Sequence, residues 1–151
     1  MKRSFYEDYA VGDEFVTPAR TVTEADVTMF AALSGDYNRL HTDAEYAREG
    51  PFGERIAHGL LGLSMILGLM FRTEIDPDSA VAFLGLSWKF TAPVRFGDTI
   101  HANIRITSMR ETRTPDRGII VQAIQLLNQR GQLVQQGEFT MMMKRRVLLD
   151  A

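Results

Sequence analysis

The sequence predicts one α+β domain in which an antiparallel sheet wraps around a single buried helix. Two features of the chain predict this class. The stretch from Ile56 to Phe71 is apolar nearly all round, as expected of a helix that is buried on every side. From Ala80 onward, β-branched and alternating segments separated by turns replace the helical pattern. A sheet that curves around the helix is the most economical way to pack these elements.

A first helix is indicated by capping signals at both of its ends. Thr23 is a favourable N-cap residue, Asp26 lies three positions later, and Gly35 suits the C′ position. Apolar residues recur at helical spacing between these signals. A shorter helical turn is expected at Asp43–Arg48, ended by the glycines and the proline of residues 50–53.

Four strands are predicted in the second half of the chain. Residues 99–107 alternate polar and apolar side chains throughout, which is typical of a strand with one face in water. The last two strands are joined by a short turn at residues 128–131. The predicted strands are Val81–Thr91, Thr99–Thr107, Arg117–Asn128 and Leu133–Met143.

The composition excludes several classes of function. A chain of 151 residues with 45% hydrophobic content is expected to form one domain, residues 1–151, with a real core. A net charge of −2 argues against a nucleic-acid partner, because such domains are usually strongly basic. The chain has no cysteine, so a disulfide framework, a thiolate nucleophile and a zinc ribbon are excluded.

Neither a membrane partner nor secretion is expected. The apolar run is 16 residues long, whereas a membrane span needs about 20. The N-terminus turns acidic at Glu7 and Asp8 instead of entering the apolar stretch of a signal peptide, so a cytoplasmic protein is expected. The basic run Lys144–Arg146 is predicted to be a solvated strand end, with a phosphate-binding role as the alternative.

A tight polar loop at residues 34–43 combines a carboxylate, an amide and an imidazole. Asp36 and His41 are five positions apart, so in a loop they can converge on one water molecule, whereas a helix would set them on different faces. A neutral imidazole accepts a proton while the neighbouring carboxyl group gives or orients one. The alternative is that Asp36 and Asn38 form Asx turns and that His41 only packs.

Gly59 opens the apolar helix, where the first backbone N–H groups have no intrahelical partner. Such groups lie at the positive end of the helix dipole and can bind an enolate oxygen. The alternative is that Gly59 only permits close packing. His58 is a candidate for substrate binding or for a hydrogen-bonded structural role, and Ser64 can donate into a pocket or bond back to its own helix.

No metal site is predicted. Asp36, His41 and His58 are possible ligands, but neither a His-Glu-x-x-His nor a His-x-His spacing supports them.

The polar loop resembles the signature of the MaoC-like hydratases and dehydratases, the hydratase 2 family. That signature runs aromatic, small residues, Gly-Asp-x-Asn-Pro-aliphatic-His. One position departs from it, because the usual proline is Arg39, and the fixed φ of proline is lost. The His58-Gly59 pair and the stretch from Phe90 to Asp98 resemble the same family. The matching loop residues are Phe30, Ser34, Gly35, Asp36, Asn38, Leu40 and His41.

The resemblance implies a hot-dog fold and assigns roles to residues of the loop and the helix. Asp36 and His41 would be the catalytic pair, Asn38 would support the loop, and Gly59 would offer an oxyanion-hole N–H to a thioester carbonyl. The implied reaction is the hydration of a trans-2-enoyl-CoA to an (R)-3-hydroxyacyl-CoA, or the reverse dehydration. The acyl thioester is then the substrate, and no cofactor is expected.

Two other functions remain open from the sequence. Other hot-dog proteins hydrolyse acyl-CoA, so a thioesterase is one alternative, and a non-catalytic module that binds acyl thioesters is the other. A homodimer, or a higher multiple such as a hexamer, is expected because a single curved sheet leaves strand edges exposed.

Overall fold

The computed structural model, which describes residues 2–73, 75 and 77–146, contains a six-stranded antiparallel sheet. The order of the long path across the sheet is β1-β4-β5-β6-β3, and β2 also pairs with β4. The strands are β1 (Glu14–Val16), β2 (Arg20–Thr21), β3 (Ala80–Phe90), β4 (Thr99–Glu111), β5 (Arg117–Leu127) and β6 (Leu133–Lys144).

Four α-helices precede the long strands: α1 (Glu24–Ser34), α2 (Arg39–Thr42), α3 (Ala44–Arg48) and α4 (Gly59–Met70). The predicted ends of α1 are confirmed. The Thr23 hydroxyl accepts a hydrogen bond from the Asp26 N–H, and Gly35 adopts the left-handed conformation at φ 76°. Within the described residues no helix is long and apolar enough to cross a membrane.

The core lies between α4 and the concave face of the sheet. Ile66 and Met70 of α4 are buried, as are Ile104 of β4, Ile124 of β5 and Phe139 of β6. Burial of a large aliphatic or aromatic side chain contributes about 1.5–3 kcal/mol, so this layer dominates the stability of the fold. The predicted α+β hot-dog architecture, a sheet wrapped around a central helix, is confirmed.

The helix α4 is not buried on every side, so that part of the prediction is wrong for the single chain. Leu60 is 57% exposed and Phe71, just after the helix, is 45% exposed; Ser64 and Gly68 are exposed along the same side. The sheet covers only the opposite side of the helix. The residues on this side of α4 therefore remain exposed in the single chain.

The four predicted strands are confirmed with small changes at their ends, and the turn at residues 128–131 joins β5 to β6. The prediction missed β1 and β2 because three and two residues carry too little alternation to identify a strand. Both strands pair with β4, so their extended conformation depends on hydrogen bonds to a strand far along the chain.

The basic run Lys144–Arg146 was predicted to be a solvated strand end, but two of its residues form ion pairs. Arg145 forms ion pairs with Glu7 at 2.8 Å and with Glu111 at 2.9 Å, and Arg146 pairs with Asp8. These contacts fasten the N-terminal segment to the end of β6.

Candidate active site

His41 lies on α2 with its ring held by a backbone carbonyl. Its Nδ1 is 2.7 Å from the carbonyl oxygen of Ile56. A carbonyl oxygen can only accept a hydrogen bond, so Nδ1 carries the proton and Nε2 keeps a free lone pair. The prediction that His41 lies in a loop is wrong, because residues 39–42 form one helical turn. When the ring is neutral, the hydrogen bond to the Ile56 carbonyl leaves Nε2 as the nitrogen able to take a proton.

Asp36 lies in the loop between α1 and α2, and its carboxylate is held by the turn that follows. Its Oδ1 accepts a hydrogen bond of 3.2 Å from the Asn38 N–H. The Asn38 side chain caps α2, since its Oδ1 accepts a 3.0 Å hydrogen bond from the Leu40 N–H. The Asx turn that the sequence left as an alternative is therefore present, and it orients the carboxylate.

His58 is buried directly behind the other two side chains. It is 2% exposed, and its ring stacks on that of His41 with 3.8 Å between the ring centres. Its Nε2 lies 2.9 Å from the carbonyl oxygen of Asp36, so Nε2 carries the proton and donates it. On its other side the ring contacts Phe30 at 5.0 Å. His58 thus braces both the Asp36 backbone and the His41 ring from the protein interior.

The three side chains form one compact cluster. A carboxylate oxygen of Asp36 and one ring nitrogen from each of His41 and His58 lie within 4.8 Å of one another. A water molecule with two hydrogen bonds of about 2.8 Å at a near-tetrahedral angle joins atoms about 4.6 Å apart. The spacing therefore suits a carboxylate and an imidazole that share a single water molecule.

The donor atoms of this cluster do not favour a bound metal ion. The His58 Nε2 that lies 4.0 Å from the Asp36 carboxylate is protonated, because it donates to a backbone carbonyl. A protonated ring nitrogen has no lone pair for a metal ion. The donor set that faces Asp36 therefore fits a proton-transfer site better than a metal site.

A cleft of about 500 Å³ brings His41 together with the first turn of α4. His58 is the N-cap of α4, but its side chain makes no capping hydrogen bond. The His58 side chain therefore gives no acceptor to the N–H groups of the first turn, which lie at the positive end of the helix dipole. Among the described residues, the His58 carbonyl accepts only the Leu61 N–H, at 3.1 Å. Gly59 and Leu60 line the cleft together with Phe90, which gives it an apolar wall. The cleft thus combines a proton acceptor with donors for an anionic oxygen.

Arg39, which replaces the proline of the family signature, joins α2 to α3. Its guanidinium donates to the Asp43 carboxylate at 2.9 and 3.1 Å and lies over the Tyr46 ring at 4.3 Å. Asp43 is the N-cap of α3 and accepts a hydrogen bond from the Tyr46 N–H. This bond and the Arg39 guanidinium both lower the pKa of Asp43. Side-chain contacts at this position therefore restrain the segment that proline would restrain through φ.

Ser64 lies away from the cleft that holds His41. Its hydroxyl donates a 2.8 Å hydrogen bond to the carbonyl oxygen of Leu60. The side chain borders a separate groove between α1 and α4, next to Met29 and Leu33. Ser64 therefore bonds back to its own helix, which was one of its two predicted roles. Its place in this groove does not favour a role in substrate binding.

Sequence reasoning missed Phe90 and Gln135, which border the cleft from β3 and β6. A signal for Gln135 was present. Phe139, Met141 and Met143 alternate along the buried face of β6, and continuing that period backwards places a polar Gln135 on the same face. A buried polar residue at such a position needs a hydrogen-bonding partner, which only the fold identifies.

Comparison with known proteins gives this fold and site a family. Residues 8–124 match the model of the MaoC like domain. The chain is 36% identical over 105 residues to an (R)-specific enoyl-CoA hydratase of Rhodospirillum rubrum, which covers 70% of this chain and 71% of that protein. It is 40% identical over 111 residues to protein MaoC of Klebsiella aerogenes, but that match spans 73% of this chain and only 32% of the longer relative.

A solved structure supports the same assignment. The crystal structure of the MaoC-like dehydratase from Rhodospirillum rubrum superposes with a TM-score of 0.82 at 30% identity, covering 95% of this chain and 99% of that one. The chain belongs to the MaoC-like dehydratase domain family, as the resemblance of its polar loop predicted.

Proposed function

We propose that this protein is a hydro-lyase that adds water to a trans-2-enoyl-CoA to form an (R)-3-hydroxyacyl-CoA, or removes water in the reverse direction. The observation that carries the proposal is the cluster of Asp36, His41 and His58, of which His41 also lines the cleft at the start of α4. Relatives named (R)-specific enoyl-CoA hydratase and 3-hydroxybutyryl-CoA dehydratase support the reaction class.

Each group has a distinct part in the proposed hydration. The thioester carbonyl accepts a hydrogen bond from the Gly59 N–H, which draws electron density from C3 and prepares it for attack. Asp36 and His41 hold the water, and Nε2 of His41 takes one of its protons as the oxygen bonds to C3. The same pair returns a proton to C2 on the same face. Water is the only co-reactant, so the reaction needs no redox partner.

The proposal is tested by substitutions within the pair. Asp36→Asn and His41→Ala are each expected to lower the rate of crotonyl-CoA hydration by about 10² or more, because each removes a group that acts on the same water. The double variant is expected to be little worse than either single variant, as for residues that act as a unit. Loss of the enoyl absorbance measures the rate.

His101→Ala is the matched control, because His101 is a partly exposed histidine on β4 away from the cluster. It is expected to retain the wild-type rate. Near-normal turnover in Asp36→Asn or His41→Ala, with the fold intact, would contradict the mechanism. Release of free thiol would identify a thioesterase instead, because hydration leaves the thioester bond intact. Saturable binding without any product would identify a binding module.

We also propose that the protein works as a homodimer joined at β3. Among the described strands β3 pairs only with β6, so its other edge is open. Apolar side chains on this strand are exposed in the single chain, with Leu86 at 49% and Leu84 at 46%. An open edge with apolar side chains is normally covered by another chain, and two-fold pairing is the commonest arrangement.

Light scattering of Leu84→Lys tests the homodimer. Charge repulsion and desolvation at the open edge are expected to shift the variant to a monomer, whereas Gln125→Lys, on an exposed position of β5, is expected to remain a dimer. A wild-type protein that is monomeric at assay concentration and fully active would contradict this proposal.

A further inference from the structure

A buried amide lies beneath the first turn of α4. Gln135 of β6 is 1% exposed, and its Nε2 donates a 3.0 Å hydrogen bond to the carbonyl oxygen of Gly59. Its Oε1 accepts a 3.1 Å hydrogen bond from Nε1 of Trp88 on β3. The side chain therefore connects two strands of the sheet to the end of α4 that faces the cleft.

The orientation of this amide is fixed by its two partners. The indole N–H of Trp88 can only donate, so it requires the oxygen end of the Gln135 amide. The carbonyl of Gly59 can only accept, so it requires the nitrogen end. Reversing the amide would face donor with donor and acceptor with acceptor in a buried position, where each unpaired polar group costs about 1–3 kcal/mol.

The fold leaves space for this amide. A Cβ added to Gly62, one turn into α4, would lie 2.6 Å from Nε2 of Gln135. That distance is shorter than any ordinary contact, so only glycine at position 62 allows the amide to reach the Gly59 carbonyl.

The hydrogen bond from Gln135 acts on the peptide group that carries the next N–H of the helix. The carbonyl of Gly59 and the N–H of Leu60 belong to one peptide plane. A donor on the carbonyl oxygen increases the polarity of that plane, and hydrogen bonds in a chain strengthen one another by roughly 10–30%. It also fixes the tilt of the plane, and thus the direction of an N–H at the cleft.

We propose that Gln135, oriented by Trp88, is a positioning residue for the oxyanion site: it fixes the Gly59–Leu60 peptide and so aligns the first turn of α4, whose Gly59 N–H binds the thioester carbonyl. This inference rests on the proposed function. Gln135 acts through the Gly59–Leu60 peptide, so its loss weakens binding of the transition state more than binding of the substrate.

The test uses Gln135→Met, which keeps the length of the side chain and removes both hydrogen bonds, and Trp88→Phe, which removes the indole N–H with its five-membered ring and keeps an aromatic ring. Gln135→Met is expected to lower kcat by about 10–10² with KM within about threefold, less than the 10²–10³ of a lost direct donor. Trp88→Phe is expected to lower kcat by about threefold to tenfold. The double variant is expected to equal Gln135→Met, because Trp88 acts through Gln135.

Gln136→Met is the matched control, since Gln136 is the next residue of β6 and borders the outer face of the sheet. It is expected to leave kcat unchanged. The carbonyl stretch of bound 3-hydroxybutyryl-CoA labelled with ¹³C at C1 gives a second readout. The stretch is expected to move towards its value in solution in Gln135→Met and to stay at the wild-type value in the control.

The NMR resonance of the Leu60 amide reports the bond to the Gly59 carbonyl without turnover. We expect it to move in Gln135→Met and in Trp88→Phe. An unchanged kcat and carbonyl stretch in a folded Gln135→Met, or additive losses in the double variant, would overturn the inference. A wild-type protein that hydrates no enoyl-CoA would overturn the proposed function, and an unmoved Leu60 resonance in Gln135→Met would then overturn the positioning as well.

Discussion

A methyl group at position 59 would disturb the cleft without removing any backbone donor. A Cβ added to Gly59 would lie 2.8 Å from Cε1 and 2.9 Å from Cδ1 of the Phe90 ring. Carbon atoms pack at about 3.5–4.0 Å, so the ring must withdraw by roughly 1 Å. Gly59 is not among the glycines with positive φ, so alanine fits the backbone itself.

The effect of Gly59→Ala is expected on the reaction more than on the fold. The Phe90 ring is 55% exposed and can move, so the free energy of unfolding should change by less than about 1 kcal/mol. Phe90 lines the cleft beside the first turn of α4, and a displacement of about 1 Å there is expected to lower kcat by up to about 10².

The matched control is Gly68→Ala in the same helix, where nothing lies within 4 Å of the added Cβ. Alanine is favoured over glycine inside a helix, so this variant should gain about 0.5–1 kcal/mol of stability and keep its rate. Initial rates with saturating crotonyl-CoA and urea unfolding of both variants provide the measurements. Equal rates for Gly59→Ala and Gly68→Ala would refute the reasoning about Phe90.

Two further predictions concern stability. Gln122 of β5 is 2% exposed, and its Oε1 has no hydrogen-bond partner among the described residues. Gln122→Met is therefore expected to raise the free energy of unfolding by about 1 kcal/mol in urea titrations. A less stable variant would show that the amide is paired in solution. The pKa of Asp43 is lowered by the Tyr46 N–H and the Arg39 guanidinium, so its charge stabilises the fold above the ordinary value of 3.8 and ceases to do so as the pH falls through the lowered pKa. Asp43→Asn keeps an acceptor for the cap, so its Tm should lie below that of wild type at pH 7 and converge with it as the pH falls through the lowered pKa. A gap that persists once Asp43 is protonated would contradict the charge as its cause.

Local hydrogen-bonding chemistry made much of the fold predictable from sequence. Thr23 and Gly35 end α1 through contacts with residues at most four positions away, so their roles can be read from the chain. The long strands were predictable because each spans eleven or more residues between turn signals, and residues 99–107 alternate polar and apolar side chains throughout. The residue types of the polar loop also identified Asp36 and His41 as candidates, and their family is confirmed.

Only the tertiary structure decided how those candidates are held. The carbonyl that binds Nδ1 of His41 lies 15 positions away in the sequence, and the His58 ring that stacks on His41 lies 17 positions away. The hydrogen bond from Gln135 to Gly59 joins residues 76 positions apart. No local pattern encodes such contacts, because they form only when α4 packs against the sheet. The sequence therefore determined which chemical groups are present, and packing determined which of their atoms remain free to react.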